Sequence, residues 1–203
     1  MKILNLYAGL GGNRKHWDGE VVAVEFDPRI AEEYQKQYPD DVVVVGDAHQ
    51  YLLDHYTEFD FIWSSPPCQS HSRMIRSGKN RKPRYPDFKL YEEIVFLKHN
   101  FDGGWVVENV VPYYGALLNP TKVGRHLFWS NFDIDAEEVK QPKDFINMTN
   151  VAGSEKLKDW LDIQYDGNIY YKGNHCPAQV LRNCVHPLIG KQVLDSYAVG
   201  EIK

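Results

Sequence analysis

The chain has 203 residues, 43% hydrophobic and 25% charged, which suits one domain burying about 70% of its unfolded surface without a metal or disulfide to hold its core. No stretch approaches the ~20 apolar residues of a membrane span, and Met1-Lys-Ile-Leu-Asn-Leu6 lacks the features of a signal peptide, so a cytoplasmic protein with no membrane partner is expected. A net charge of −5 excludes a globally basic nucleic-acid binder, and three cysteines (Cys68, Cys176, Cys184) form no disulfide framework and leave at least one free thiol.

In chain order, residues 3–7 form a short apolar strand running into Ala8-Gly9-Leu10-Gly11-Gly12. Strand, glycine turn and helix make a unit whose backbone approaches a ligand closely, because glycine removes the Cβ and permits positive φ. The second strand, Val21–Val24, ends in Glu25, 16 residues after Gly9, where an acid commonly holds ribose hydroxyls. Asp27 reads as N-cap and Pro28 as first residue of a helix that presents Ile30, Ala31, Tyr34 and Tyr38 on one face until Pro39 stops it. Four valines, Val42–Val45, read as a strand buried on both faces of a parallel sheet. Asp47 follows at its carboxyl end, as a crevice residue, as the N-cap of a helix through Tyr56, or as both.

Residues 60–64 form a fourth strand that runs into the rigid turn Pro66-Pro67-Cys68-Gln69. Cys68 then stands at a strand tip, where open α/β sheets bind ligands; a buried structural cysteine is the alternative. From Ser70 to Pro86 the chain carries Arg73, Arg76, Lys79, Arg81, Lys82 and Arg84 and no acid, leaving 17 basic residues elsewhere against 28 acidic ones. This segment is either a solvated basic loop or a phosphate-gripping loop attached to the thiol. A helix over 87–99 buries Tyr91, Ile94, Val95 and Lys98 as one stripe, and the fifth strand, Trp105–Val107, ends in Glu108-Asn109-Val110. A hairpin of Leu127–Trp129 and Phe132–Ile134 turns near Asn131, residues 135–175 lose periodicity, and Val180–Tyr197 regains it as a closing helix after His186-Pro187. The repeats describe a doubly wound, mostly parallel α/β sheet, with a core over 1–132, a small excursion over 133–175 and a return over 176–203.

Leu6-Tyr-Ala-Gly-Leu-Gly-Gly12, Glu25-Phe26, Gly46-Asp47, Pro66-Pro-Cys-Gln69, Glu108-Asn-Val110, Gly124-Arg-His126 and Arg182-Asn-Cys-Val185 together resemble, in order, the motifs of the cytosine-5 DNA methyltransferases. The resemblance implies a Rossmann-like S-adenosylmethionine-dependent methyltransferase fold, with S-adenosylmethionine as cofactor, S-adenosylhomocysteine as product and no metal. It also implies that Cys68 adds to C6 of a cytosine flipped out of double-stranded DNA while Glu108 protonates N3, so that C5 takes the methyl group. A depressed pKa is then expected for Cys68 and a raised one for Glu108. Arg125 is expected to hold the base carbonyl and orient Glu108, although the family usually has two arginines one apart where this chain reads Arg125-His126-Leu127.

By the same resemblance Glu25 takes the ribose hydroxyls, Phe26 stacks on the adenine, and Asp47 accepts from its amine, with Ala48 in the same cofactor site. Tyr7, Gly9, Leu10 and Gly12 line the methionine end, Asn183 closes the pocket, and the basic loop grips phosphates. Asn5 stands where the family usually has Asp, and Tyr7 where it has Phe. The stretch between Trp129 and Asn174, where the family keeps its target-recognition domain, is only about 40 residues, which implies a short recognition site or a protein partner, as in a compact phage or restriction-modification enzyme. Tyr165, Tyr170, Tyr171, Lys172 and Asn174 either read or stack on bases, or pack the excursion.

A zinc deaminase needs Cys-x-x-Cys and His-x-Glu, and Pro67-Cys-Gln-Ser-His71 supplies neither. His175, Cys176, Cys184 and His186 match no usual zinc spacing, and a Cys-His hydrolase built on Cys68 leaves Glu25, Asp47 and Glu108 without roles. Two alternatives stay open: the same chemistry on RNA, and a non-catalytic module of the same fold that binds DNA or a partner.

Overall fold

The computed structural model describes residues 1–76, 83–171 and 176–200. The chain winds through β1 (Lys2–Leu6), β2 (Glu20–Glu25), α1 (Pro28–Gln37), β3 (Val42–Val45), α2 (Ala48–His55), β4 (Phe61–Ser64), α3 (Lys89–Asn100) and β5 (Gly104–Val110). It continues through β6 (Thr121–Val123), β7 (His126–Ser130), α4 (Val151–Leu161), α5 (Gln179–Arg182) and α6 (Pro187–Val199). The strands form one sheet in the order β3-β2-β1-β4-β5-β7-β6; β1 to β5 are parallel, and β7 and β6 are added antiparallel. Strand order reverses between β1 and β4, so the ligand crevice of this doubly wound sheet lies beyond their carboxyl ends. The glycine turn and the Pro66-Pro67-Cys68 turn both leave the sheet there.

Side chains alternate across the strands with period two. Leu4, Leu6, Ile62 and Val107 pack with Leu52 of α2 and Leu90, Ile94 and Leu97 of α3. Ile3, Phe61, Trp63 and Val106 pack with Ile189, Val193 and Leu194 of α6. A third cluster joins Leu157, Leu161, Ile163, Val180 and Leu181 to Leu10 and Ile30, seating the excursion on the glycine turn and α1. No helix of the described residues is long and apolar enough to cross a membrane.

Several expectations are corrected. The helix after the glycine turn does not form. The short stretch between Gly12 and Gly19 closes successive three-residue turns instead (Arg14 N to Gly11 O, Trp17 N to Arg14 O), pinned by a bidentate Arg14–Asp41 pair at 2.8 Å. Helix α6 covers that face: a Cβ on Gly190 would collide with the Asn13 backbone, and Trp17 Nε1 donates to Gly190 O at 3.0 Å across 173 residues of sequence. Strand β3 lies at a sheet edge rather than in the middle, leaving Val42 and Val45 58% and 56% exposed.

The buried stripe of α3 is Leu90, Tyr91, Glu93, Ile94 and Leu97, whereas Val95 and Lys98 face solvent. The hairpin precedes Trp129: β6 and β7 turn at Gly124-Arg125, with Gly124 at φ +58°. Because β7 pairs with β5 as far as Val110, Glu108 sits inside a strand rather than just past its end. The excursion contains an 11-residue helix, α4, whose N-cap Asn150 accepts from Gly153 N at 2.9 Å. The closing segment is two helices, because Pro187 restarts the chain under the His186 cap.

Candidate active site

Strand β1 ends at Leu6, and the chain leaves it through Tyr7 and Gly9, both with left-handed backbone (φ +56°). The turn's first free N–H, on Gly9, donates to Glu25 Oε2 at 2.9 Å, while Asp27 N donates to Oε1 at 2.9 Å. Burial raises the Glu25 carboxyl, and these backbone donors oppose the rise. A Cβ on Gly9 would meet no atom within 4 Å, so the backbone faces open space there. At Gly12 it would lie 2.5 Å from Val185 O and 2.9 Å from Cys184 Cβ, so only glycine lets the 183–186 segment close onto the turn.

Phe26, next to Glu25, is 77% exposed, an unusual place for a large ring. Asp47 caps α2 through Oδ1, accepting from His49 N at 2.9 Å and from Gln50 N at 3.4 Å. Leu10 and Ala48 turn their side chains into the core, leaving only backbone for the crevice. Asn183 donates to the Tyr171 hydroxyl at 3.3 Å. That hydroxyl is pushed up by burial, and its hydrogen bond to Asn183 opposes the rise.

A residue that sequence reasoning missed ties this half together. Glu93 of α3, 1% exposed, accepts from the Tyr7 hydroxyl at 2.6 Å, from Ser64 Oγ at 2.5 Å and pairs with His49 Nδ1 at 2.8 Å. It links the ends of β1 and β4 to the start of α2. The available signal was an acid flanked by the apolar positions of a helical stripe.

On the other side, Asn109 Nδ2 donates to Pro66 O at 2.9 Å and fastens the thiol turn to β5. Cys68 O accepts from His71 N and Ser72 N, and His71 Nδ1 meets the Tyr114 hydroxyl at 2.5 Å. The half-buried Cys68 thiol is pushed up to about 11, chiefly by burial and then by the Glu108 carboxylate, with Arg125 opposing. The expected depression is therefore reversed in the free protein.

Glu108, 5% exposed, has Oε1 2.6 Å from His126 Nδ1. Arg125 acts on both Cys68 and Glu108 through its charge, but its guanidinium donates to Arg182 O at 2.8 Å and Cys184 O at 2.9 Å and lies over the Phe145 ring. Arg125 Nε has no hydrogen-bond partner among the described residues. The side-chain hydrogen-bond partner of Glu108 among the described residues is thus His126, while the Arg125 guanidinium bonds to the C-terminal segment.

Of the basic loop, Arg73, Arg76 and Arg84 are exposed; Arg73 Nε reaches Pro112 O at 3.4 Å and Arg76 lies over the Tyr113 ring. Lys79, Arg81 and Lys82 lie outside the described residues, as do Lys172, Asn174 and His175. Tyr165 and Tyr170 sit in the excursion, Tyr165 buried in its core and Tyr170 O accepting from Arg29 at 3.0 Å. Among the described residues no group of three His, Cys, Asp or Glu is placed to hold a metal.

No curated protein matches the chain. Solved structures align in part. A DNMT2 variant from Spodoptera frugiperda is 27% identical over 54% of this chain and 35% of that one, with TM-score 0.38. A putative DNA modification methyltransferase encoded within an Escherichia coli prophage is 18% identical over 57% and 33%, with TM-score 0.38. The putative methyltransferase yhhF from Escherichia coli is 16% identical over 64% and 73%, with TM-score 0.40. The chain spans about a third of the length of the first two. The sequence profile of the C-5 cytosine-specific DNA methylases matches residues 1–112, more than half of the chain and inclusive of the glycine turn, Glu25, Cys68 and Glu108. The chain therefore belongs to the C-5 cytosine-specific DNA methylase family.

Proposed function

We propose that the chain transfers a methyl group from S-adenosylmethionine to C5 of a cytosine flipped out of double-stranded DNA, through a covalent Cys68–C6 adduct. The observation that supports this reading is that Cys68 just past β4, Glu108 inside β5 and Arg125 at the β6–β7 turn lie near enough to act on one another through their charges, on the sheet that also carries Glu25, Phe26 and the glycine turn. The residues present suit the cofactor. Glu25 keeps lone pairs for ribose hydroxyls beyond its two backbone donors, the exposed Phe26 ring offers a stacking surface, and Asp47 keeps an oxygen for an amine. When bound, S-adenosylmethionine supplies an electrophilic methyl group.

Cytosine C5 is too weak a nucleophile for that methyl without help. Attack of the Cys68 thiolate on C6, with a proton from Glu108 onto N3, turns the ring into an enamine whose C5 is nucleophilic. After C5 takes the methyl, a base removes its proton, the C6–S bond breaks and N3 returns its proton. The resting site has a protonated thiol whose proton is held partly by the Glu108 carboxylate's field. The reactive form needs that proton moved from sulfur to Glu108, with no change in total charge. Once Glu108 is neutral, its field no longer opposes the thiolate while that of Arg125 still favours it, so one proton shift prepares both groups. Base flipping costs a few kcal/mol, and phosphate contacts from Arg73, Arg76 and Arg84 help offset it.

The test is transfer of labelled methyl to duplex DNA, tRNA and protein in parallel, with Cys68→Ser beside the unaltered chain. Label at cytosine C5 of DNA, absent with Cys68→Ser, is the expected result. Label in tRNA alone replaces DNA by RNA as substrate, and cofactor binding without label in any substrate sinks the enzymatic reading.

A further inference from the structure

His126 is the first residue of β7, and its place follows from register. Antiparallel pairing puts Val110 opposite His126 and Glu108 opposite Phe128, so His126 and Glu108 are diagonal neighbours on one face of the sheet. The imidazole is 4% exposed, and Nδ1 lies 2.6 Å from Glu108 Oε1. Four ionisable groups surround it: Glu108 from β5, Arg125 from the hairpin turn, and Glu138 and His186, which line a small cavity with it. Burial first, then the Arg125 charge, pushes the imidazole below its usual range, with the charge and hydrogen bond of Glu108 opposing, so the neutral form is favoured.

We propose that His126 is the positioning residue of Glu108, donating Nδ1–H to Oε1 so that the proton Glu108 delivers to the base must ride on Oε2. A neutral imidazole with its hydrogen on Nδ1 is a donor toward Oε1, and that oxygen is then unsuited to carry a hydrogen of its own. The carboxyl proton is then confined to the other oxygen. A neutral donor does this with little bias against a protonated Glu108. A permanent cation at the same atom would favour the carboxylate and oppose the step. The inference rests on the reading of Glu108 as the acid of the proposed methyl transfer.

The test compares the unaltered chain with His126→Phe, which keeps ring volume without a donor, His126→Asn, which keeps an N–H near Nδ1, and His126→Arg. Melting and S-adenosylmethionine binding check that each variant is folded. Expected results are a fall in kcat of about 100-fold for His126→Phe with the KM for the cofactor within about twofold, and recovery to within about tenfold for His126→Asn. In His126→Arg the alkaline limb of the kcat profile moves to lower pH. A folded His126→Phe within about threefold of the unaltered kcat, or a His126→Asn no better than it, overturns the inference alone. So does ¹⁵N NMR of labelled histidine if it finds the His126 hydrogen on Nε2. An unaltered chain that binds cofactor and labels no substrate instead overturns the enzymatic reading, and this inference with it.

Discussion

The Cys68 thiol, held near 11 by burial and by the Glu108 carboxylate, makes its own reactivity a measure of its neighbours. Alkylation of Cys68 by iodoacetamide should be slow at pH 7 and rise about tenfold per pH unit toward 11, tracking thiolate. Glu108→Gln should move that curve to lower pH by removing the carboxylate's field, and an unmoved curve would break the coupling between the two groups. Glu93 is the second residue whose surroundings decide its worth. Glu93→Ala leaves Ser64 Oγ and the Tyr7 hydroxyl without their acceptor, so a loss of about 3 kcal/mol in urea unfolding is expected. His49 is raised, chiefly by its hydrogen bond to Glu93. A raised histidine stabilises fully below its unfolded pKa, near 6.5, and the contribution fades as pH climbs through the folded value. Stability of the unaltered chain should thus fall over that window, and His49→Gln should flatten the fall. Neither Glu93 nor His126 stood out in the sequence as a site residue. One was masked as a polar position on an amphipathic helix, and the other gains its role only from β5–β7 register, which no local pattern encodes.

Among elements, the legible ones are those whose signals are local. Asp27 and Pro28 start α1 where capping chemistry says they should, and Asp47 caps α2. Four valines look the same in a central strand and at an edge, so the exposure of β3 could not be read from them. The missing helix after Gly12 was equally hidden, because its place on the sheet is taken by α6 from far along the chain. The glycine turn and the 183–186 segment are one packed unit, and Gly12→Ala tests it. A methyl group 2.5 Å from Val185 O forces the two apart, so the variant should melt lower and lose at least tenfold in S-adenosylmethionine affinity. Titration calorimetry against Gly9→Ala separates packing from backbone strain, since the added methyl at Gly9 meets nothing and only its φ of +56° is unfavourable.

At the scale of the whole molecule, the charge map separates a grip from a body. With net charge −5, the proposed grip on DNA would rest on a local basic segment, and if so binding should fall steeply with salt. Replacing Arg73 and Arg84 together by Gln should reduce the slope of log K against log salt by about 2 and leave cofactor affinity unchanged. Fluorescence anisotropy at several salt concentrations reads both. The doubly wound plan was legible because acids and glycines recur at strand ends, whereas the partner of each loop was not, since contacts across the crevice join distant residues. One such contact bears on how the crevice closes. Trp17 bonds Gly190 across 173 residues, and Gly12 is roofed by Val185. The five parallel strands precede that roof in the chain, so the ligand crevice stays unsealed until the 183–186 segment docks on the glycine turn. A ligand that binds the closed crevice would stabilise only chains in which that segment has docked.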